Sequence, residues 1–150
     1  MDFIISLYDL FANGPLMDDL LDERIDLFGP LLWTMFGVTL VSTLIFYYVL
    51  NNQIVTRSDR FSKTSYWIIA LIVSMLIVFV SHLVTCLQMA DKLIPRNPGA
   101  SPKQVTFLFD QPDSVFFGFA LQVAGLSIVL FFLLSMALKW GSSHASNKPF

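Results

Sequence analysis

His82 is the residue with the clearest potential for chemistry, because it lies inside a run, residues 66–90, that contains no Asp, Glu, Lys or Arg. An ionisable side chain within hydrocarbon is costly unless it is neutral and paired, so a histidine at membrane depth is a functional hypothesis by default. A buried imidazole can ligate haem or a metal, contact a quinone or relay a proton. We therefore treat His82 as the candidate cofactor-binding residue, for haem or quinone.

A metal site around this histidine is not expected. Cys86 lies four residues after His82 and so shares its helical face, with Thr85 close by. A metal site generally needs further ligands, and neither of the other two long apolar runs contains His, Cys, Asp or Glu. We expect no cofactor in this chain alone, and haem only with a partner chain. We favour a structural role over cofactor contact, in which His82 bonds to Ser, Thr or a backbone carbonyl of a neighbouring helix.

The elements that must position this histidine follow from composition and from the lengths of the apolar runs. Of 150 residues, 55% are hydrophobic and 13% are charged, whereas about a quarter of the residues in soluble domains are charged. Residues 31–50, 66–90 and 115–138 are each long enough, at about 1.5 Å per residue, to cross about 30 Å of hydrocarbon. The sequence therefore predicts an all-α membrane protein, with three transmembrane helices in residues 29–140 and a polar tail, 141–150.

Two short amphipathic helices are predicted before the first span, in residues 1–28. Apolar residues recur at helical spacing in 2–12 and again in 16–28, and an Asn-Gly-Pro turn signal separates the two segments. Gly29 and Pro30 are expected to end the second helix, with Pro30 opening the first span. The pair is predicted to lie at the membrane interface, packed against protein or along the mouth of the first span. The acids of the second helix are expected to form a solvated face; they include Asp18, Asp19, Asp22 and Glu23.

Small and polar residues recur along the predicted spans at helical spacing. Small residues let helix backbones approach closely in lipid, and hydroxyl and amide groups form hydrogen bonds between helices. Ala120 and Ala124 form a further pair of small residues in the third span. The predicted helix-packing residues are Gly37, Thr39, Thr43, Ser74, Ser81, Thr85, Gly118, Gln122 and Gly125. A stripe of Ser74, Ser81, Thr85 and Gln88 lining a water path is the alternative, and it requires an oligomer.

The loops give an orientation and one further element. Residues 91–114 are rich in proline, and the apolar run 105–109 is expected to be a strand or an extended segment laid on a neighbour. With residues 51–65 inside, five of the nine basic residues and one of the eleven acids lie inside. The positive-inside rule then places the N-terminus outside and the C-terminus inside.

Three spans with one helix histidine are similar in topology to the membrane anchors of succinate dehydrogenase. In that family a helix histidine ligates haem b. The resemblance rests on His82 alone, since the flanking residues in FVSHLVTCLQMAD do not reproduce the sequence patterns of the family. It implies a haem- or quinone-contacting anchor of a respiratory complex. Small phage holins share the size and the number of spans, which implies a homo-oligomeric pore as another alternative.

The function that the sequence favours is a non-catalytic accessory or structural subunit of a larger membrane complex. It contains no nucleotide-binding loop and no set of nucleophile, base and acid in one compartment. Its net charge of −2 and its scattered basic residues exclude a nucleic-acid partner. The expected partners are the lipid bilayer and either other membrane subunits or copies of the same chain. The expected location is a bacterial inner membrane or a mitochondrial inner membrane.

Overall fold

The computed structural model describes residues 14–50, 64–97 and 105–139. Its elements in chain order are α1 (Gly14–Leu20), α2 (Phe28–Leu44), a π-helical continuation of α2 (Ile45–Leu50), α3 (Thr64–Ala90) and α4 (Asp113–Lys139). The predicted fold class, an all-α protein with three helices able to span a membrane, is confirmed.

Three stretches are long and apolar enough to cross a membrane: Phe28–Tyr48, Ser65–Ala90 and Asp113–Leu138. Each end lies within three residues of the corresponding end in the predicted spans. By length and composition this is an integral membrane protein. The start of α2, the end of α3 and the start of α4 lie at one end of the bundle, which we call the loop end.

The segment before the first span differs from its prediction. The helix predicted over 16–28 ends at Leu20, turns occupy residues 21–27, and α2 begins at Phe28. Pro30 lies within the first turn of α2, where a missing N–H is tolerated. It therefore does not end the preceding helix, which has already ended at Leu20. That helix ends six residues before Asp26, whose φ of 44° is left-handed. The predicted helix 2–12 and the tail 141–150 lie outside the described residues.

The three long helices pack against one another in every pairing, and α3 and α4 share the most extensive contact. The largest group of buried apolar side chains lies towards the loop end, where α1 covers the bundle. Its most enclosed members are Leu16, Leu20, Val78, Cys86, Leu108, Phe109, Phe116, Phe119 and Val123. Most of the remaining helix surface exposes large aliphatic side chains, as contact with lipid requires.

Two segments of the loop between α3 and α4, residues 94–96 and 106–108, form hydrogen bonds with each other. The backbone N–H of Arg96 donates to Thr106 at 2.7 Å and that of Leu108 donates to Ile94 at 2.8 Å. The expected extended segment over 105–109 therefore pairs with residues of the same loop. This pairing places Leu108 and Phe109 in the apolar core.

Candidate functional site

His82 lies inside the helix bundle with 0% of its surface exposed. Its Nδ1 is 2.8 Å from the carbonyl oxygen of Val78, one helical turn earlier in α3. Its ring is tilted by 53° to the ring of Phe119 in α4, with 6.2 Å between the ring centroids. The α-helical spacing of α3 directs Val78, His82 and Cys86, all fully buried, along the same inward face.

The second ring nitrogen of His82, Nε2, differs from Nδ1 in its hydrogen bonding. Nε2 is buried and forms no hydrogen bond to the described part of the chain, although the Leu31 carbonyl of α2 lies near the ring. If Nδ1 donates to Val78, the neutral ring carries its lone pair on Nε2. Nε2 is then the nitrogen with the chemistry to ligate a metal or to accept a proton.

The surroundings of His82 restrict what can reach this nitrogen. Among the described residues, no group of three or more His, Cys, Asp or Glu side chains could hold a metal ion. The imidazole is enclosed by side chains of its own chain, including Phe119. A haem or quinone held by a partner chain would reach His82 only if the helices around it moved apart.

A second polar cluster, the Tyr47 cluster, joins all three spans at the end opposite the loop end. The indole Nε1 of Trp67 in α3 donates to the hydroxyl of Ser135 in α4 at 3.2 Å. The hydroxyl of Tyr47, in the π-helical segment, interacts with both of these groups. The ring of Trp67 also packs edge-on against Phe131, with 5.6 Å between centroids. Neither Tyr47 nor Ser135 is among the helix-packing residues that the sequence predicts.

A third cluster, the Asp19 cluster, joins α1 to the loop between α3 and α4. Asp19 is 1% exposed. One of its carboxylate oxygens pairs with the guanidinium of Arg96, and the other accepts the backbone N–H of Phe109 at 3.0 Å. The expectation that this acid belongs to a solvated face is therefore wrong. The short helix α1 inserts Leu16 and Leu20 into the core and carries Asp19 with them towards the loop.

Arg24 strengthens the same connection at the surface. Its guanidinium donates to the carbonyls of Pro95 at 3.0 Å and Arg96 at 3.2 Å, and also to both carboxylate oxygens of Asp22. The hydrogen bonds from the side chain and backbone N–H of Arg24 to the Asp22 carboxylate lower the pKa of Asp22 from 3.8 to about 2. The carboxylate in turn raises the pKa of Arg24. The turn between α1 and α2 is thus held to the loop by both side-chain and backbone groups.

Most of the hydroxyl groups predicted to join helices donate hydrogen bonds to backbone carbonyls of their own helix. Thr39 and Thr43 are buried and donate to the carbonyls one turn earlier, at 2.7 Å and 2.6 Å. Ser81 and Thr85 are half-buried and do the same at 3.0 Å and 2.8 Å. Ser74 is buried, and its hydroxyl has no partner among the described residues. The stripe therefore changes from buried at Ser74, through half-buried at Ser81 and Thr85, to exposed at Gln88.

The predicted small residues of α4 divide between two faces. Ala120 and Ala124 are buried and pack within the bundle. Gly118 is half-buried, and Gln122 and Gly125 are exposed on the outer side. A Cβ atom added at Gly118 or Gly125 would meet nothing within 4 Å, and the same is true of Gly37 in α2. These glycines thus make no close helix contact with the described part of the chain.

Comparison with protein-family models, curated protein sequences and solved structures finds no match to this chain.

Proposed function

We propose that this protein is a non-catalytic accessory or structural subunit that assembles with other membrane-spanning helices through the outward face of α4. The observation that carries the proposal is Gln122, a polar side chain exposed at membrane depth. No hydrogen bond joins its amide to another described residue. We call the surface formed by Gly118, Gln122 and Gly125 the Gln122 face.

The depth of Gln122 makes this exposure costly. α4 has 27 residues and is therefore about 40 Å long, against about 30 Å of hydrocarbon. With the helix centred, Gln122 lies about 8 Å inside the hydrocarbon. An amide transferred to hydrocarbon without a hydrogen-bond partner costs about 4 to 8 kcal/mol. A helix that offers Gln122 a hydrogen bond would remove much of that cost.

The surroundings of Gln122 are suited to helix association. Gly118 lies one turn before it and Gly125 one turn after it, and the space above both positions is open. Small residues on either side of a polar group let a second helix approach closely enough to form a hydrogen bond. By contrast, the outward face of α3 exposes bulky side chains such as Ile69, Leu76 and Val80, as a lipid-facing surface does.

The orientation that we propose follows from the distribution of charge. The proposed orientation has the N-terminus and the loop end outside and the C-terminus inside, because the basic residues favour the other end. A bacterial inner membrane or a mitochondrial inner membrane is the proposed membrane.

Photo-cross-linking in native membranes tests this proposal. A photoreactive amino acid replaces Leu121, which is exposed beside Gln122, or Ile69, which is similarly exposed on α3. The expected result is a protein adduct from position 121 and only lipid adducts from position 69. Lipid adducts alone from position 121 would overturn the proposal, since the face would then contact no protein.

A haem- or quinone-contacting anchor is the second candidate function, favoured by Nε2 of His82, which has no hydrogen-bond partner within residues 14–50, 64–97 and 105–139. The complete enclosure of the ring disfavours it. The absorption spectrum of the purified native assembly, recorded before and after dithionite, tests the haem version. A reducible haem signal that disappears on His82→Ala would establish it, and a spectrum without haem would eliminate it.

A further inference from the structure

We propose that the partner at the Gln122 face is a second copy of this chain, so that two α4 helices pack against each other as a symmetric pair. This inference rests on the proposed function, because it identifies the partner of the same face. It is carried by the hydrogen-bonding capacity of Gln122, by the symmetry that membrane insertion imposes, and by the open space above the flanking glycines.

The amide of Gln122 is complementary to itself. A glutamine side chain contains both a carbonyl acceptor and an NH₂ donor. Two facing glutamines can therefore exchange hydrogen bonds without any other polar group. A charged residue in the same place would repel its own copy, and a hydroxyl would form fewer bonds.

Membrane insertion brings the two amides to the same depth. Copies of one chain insert with the same orientation, so a symmetric pair is related by a two-fold axis along the membrane normal. Gln122 of one copy then lies at the same level as Gln122 of the other. A different subunit would need its own polar residue matched to that level, whereas a second copy provides one by symmetry.

The glycines allow the two helices to meet where the amides lie. Gly118 and Gly125 flank Gln122 on the same face, and a Cβ atom at either position would meet nothing within 4 Å. With no side chain at either position, the two backbones can approach closely on both sides of the polar contact. Both requirements of a tight polar helix pair are therefore met on one face of α4.

The other prominent outward surface has no comparable demand for a polar partner. A shallow groove of about 570 Å³ runs along α3 and is lined by Leu76, Ile77, Val80, Ser81, Val84 and Thr85. Its two hydroxyl groups donate to carbonyls of their own helix. Acyl chains satisfy such a surface fully, so α3 does not compete with α4 as the self-association face.

Cysteine cross-linking of the full chain in vesicles tests the geometry of the pair. In a Cys86→Ser background, Gly125→Cys is expected to form a disulfide-linked dimer on mild oxidation. Ile72→Cys, placed on the exposed face of α3, is the matched control and is expected to remain monomeric. Gly125→Cys that yields no more dimer than Ile72→Cys would overturn the proposal.

Energy transfer between labelled copies tests the role of the amide. Gln122→Leu is expected to lower the association constant about threefold to tenfold, the effect of losing one hydrogen bond between helices. Gln122→Asn keeps the amide and is expected to restore part of the loss. Gln88→Leu, an exposed glutamine at the end of α3, is the control and is expected to change nothing. Equal association of wild type and Gln122→Leu would contradict the proposed contact.

The two proposals fail in different ways. If Leu121 cross-links to a different protein while Gly125→Cys forms no dimer, the accessory function stands and the second copy is the wrong partner. If position 121 reaches only lipid, both proposals are wrong.

Discussion

At the scale of single residues, Asp19 has the most consequential environment. Its carboxylate is fully enclosed, and it is compensated by the guanidinium of Arg96 and the backbone N–H of Phe109. An enclosed charge is tolerated only when it is paired and hydrogen-bonded. The helical pattern of the sequence identifies Asp19 as one of several acids, but it does not reveal that two groups of a distant loop bond to it.

Replacing Asp19 with alanine is expected to lower the free energy of unfolding by about 2 kcal/mol. The orphaned N–H of Phe109 accounts for most of this, since a buried unpaired donor costs about 1 to 3 kcal/mol. Arg96 contributes less, because its side chain is 39% exposed and can be hydrated. Asp18→Ala, at the exposed neighbouring acid, is the control and is expected to change stability by less than about 0.5 kcal/mol.

Unfolding in mixed micelles, followed by circular dichroism, measures the difference between these two variants. Equal stability of Asp19→Ala and Asp18→Ala would show that the Asp19 cluster contributes nothing to the fold.

At the scale of elements, the region before the first span shows where helical periodicity misleads. Apolar residues continue at helical spacing from Leu16 to Phe28, yet the chain turns after Leu20. The turn lets Arg24 reach the carbonyls of Pro95 and Arg96, which a continuous helix would not allow. Tertiary hydrogen bonds thus override the local pattern, as they commonly do in short elements.

The ion pair within this turn predicts a defined pH response. Because the pKa of Asp22 falls from 3.8 to about 2 on folding, the folded state binds fewer protons than the unfolded state between these values. The stabilisation is therefore complete above about pH 4 and is lost as the pH falls through about 2. Arg24→Gln is expected to raise the pKa of Asp22 part of the way towards 3.8, because it removes the guanidinium hydrogen bonds while the backbone N–H of residue 24 still donates to the carboxylate.

A titration of the Asp22 carboxyl carbon by NMR, in micelles, measures this change. Lys92→Gln is the control, since Lys92 is an exposed base of the loop between α3 and α4 and does not contribute to the shift. An Asp22 pKa that stays near 2 in Arg24→Gln would mean that another group holds the carboxylate in its charged form.

At the scale of the whole molecule, the spans were predictable and the contacts between them were not. Long uncharged runs have only one low-energy form in lipid, so their composition alone locates the helices. The Tyr47 cluster could not be inferred, because Trp67 and Ser135 are 68 positions apart and neither pattern marks the other as its partner. The inward position of His82 was likewise left open, since the sequence does not show which face of α3 meets the other two spans.

The topology of the whole chain is tested by labelling single cysteines in a Cys86→Ser background. Lys92→Cys and Asp110→Cys lie in the exposed part of the same loop and are expected to react with an impermeant maleimide added outside intact cells. Arg57→Cys is expected to react only after the membrane is permeabilised. Labelling of positions 57 and 92 from the same side would contradict a three-span arrangement.

The Asp19 cluster also sets an order of events during synthesis. Arg96 and the backbone of Phe109 follow Asp19 by 77 and 90 positions. A ribosome adding about 5 to 20 residues per second needs on the order of 5 to 20 seconds to produce them. Throughout that interval the nascent chain carries a carboxylate whose eventual partners do not yet exist, so α1 docks only after the second span and the loop that follows it have emerged.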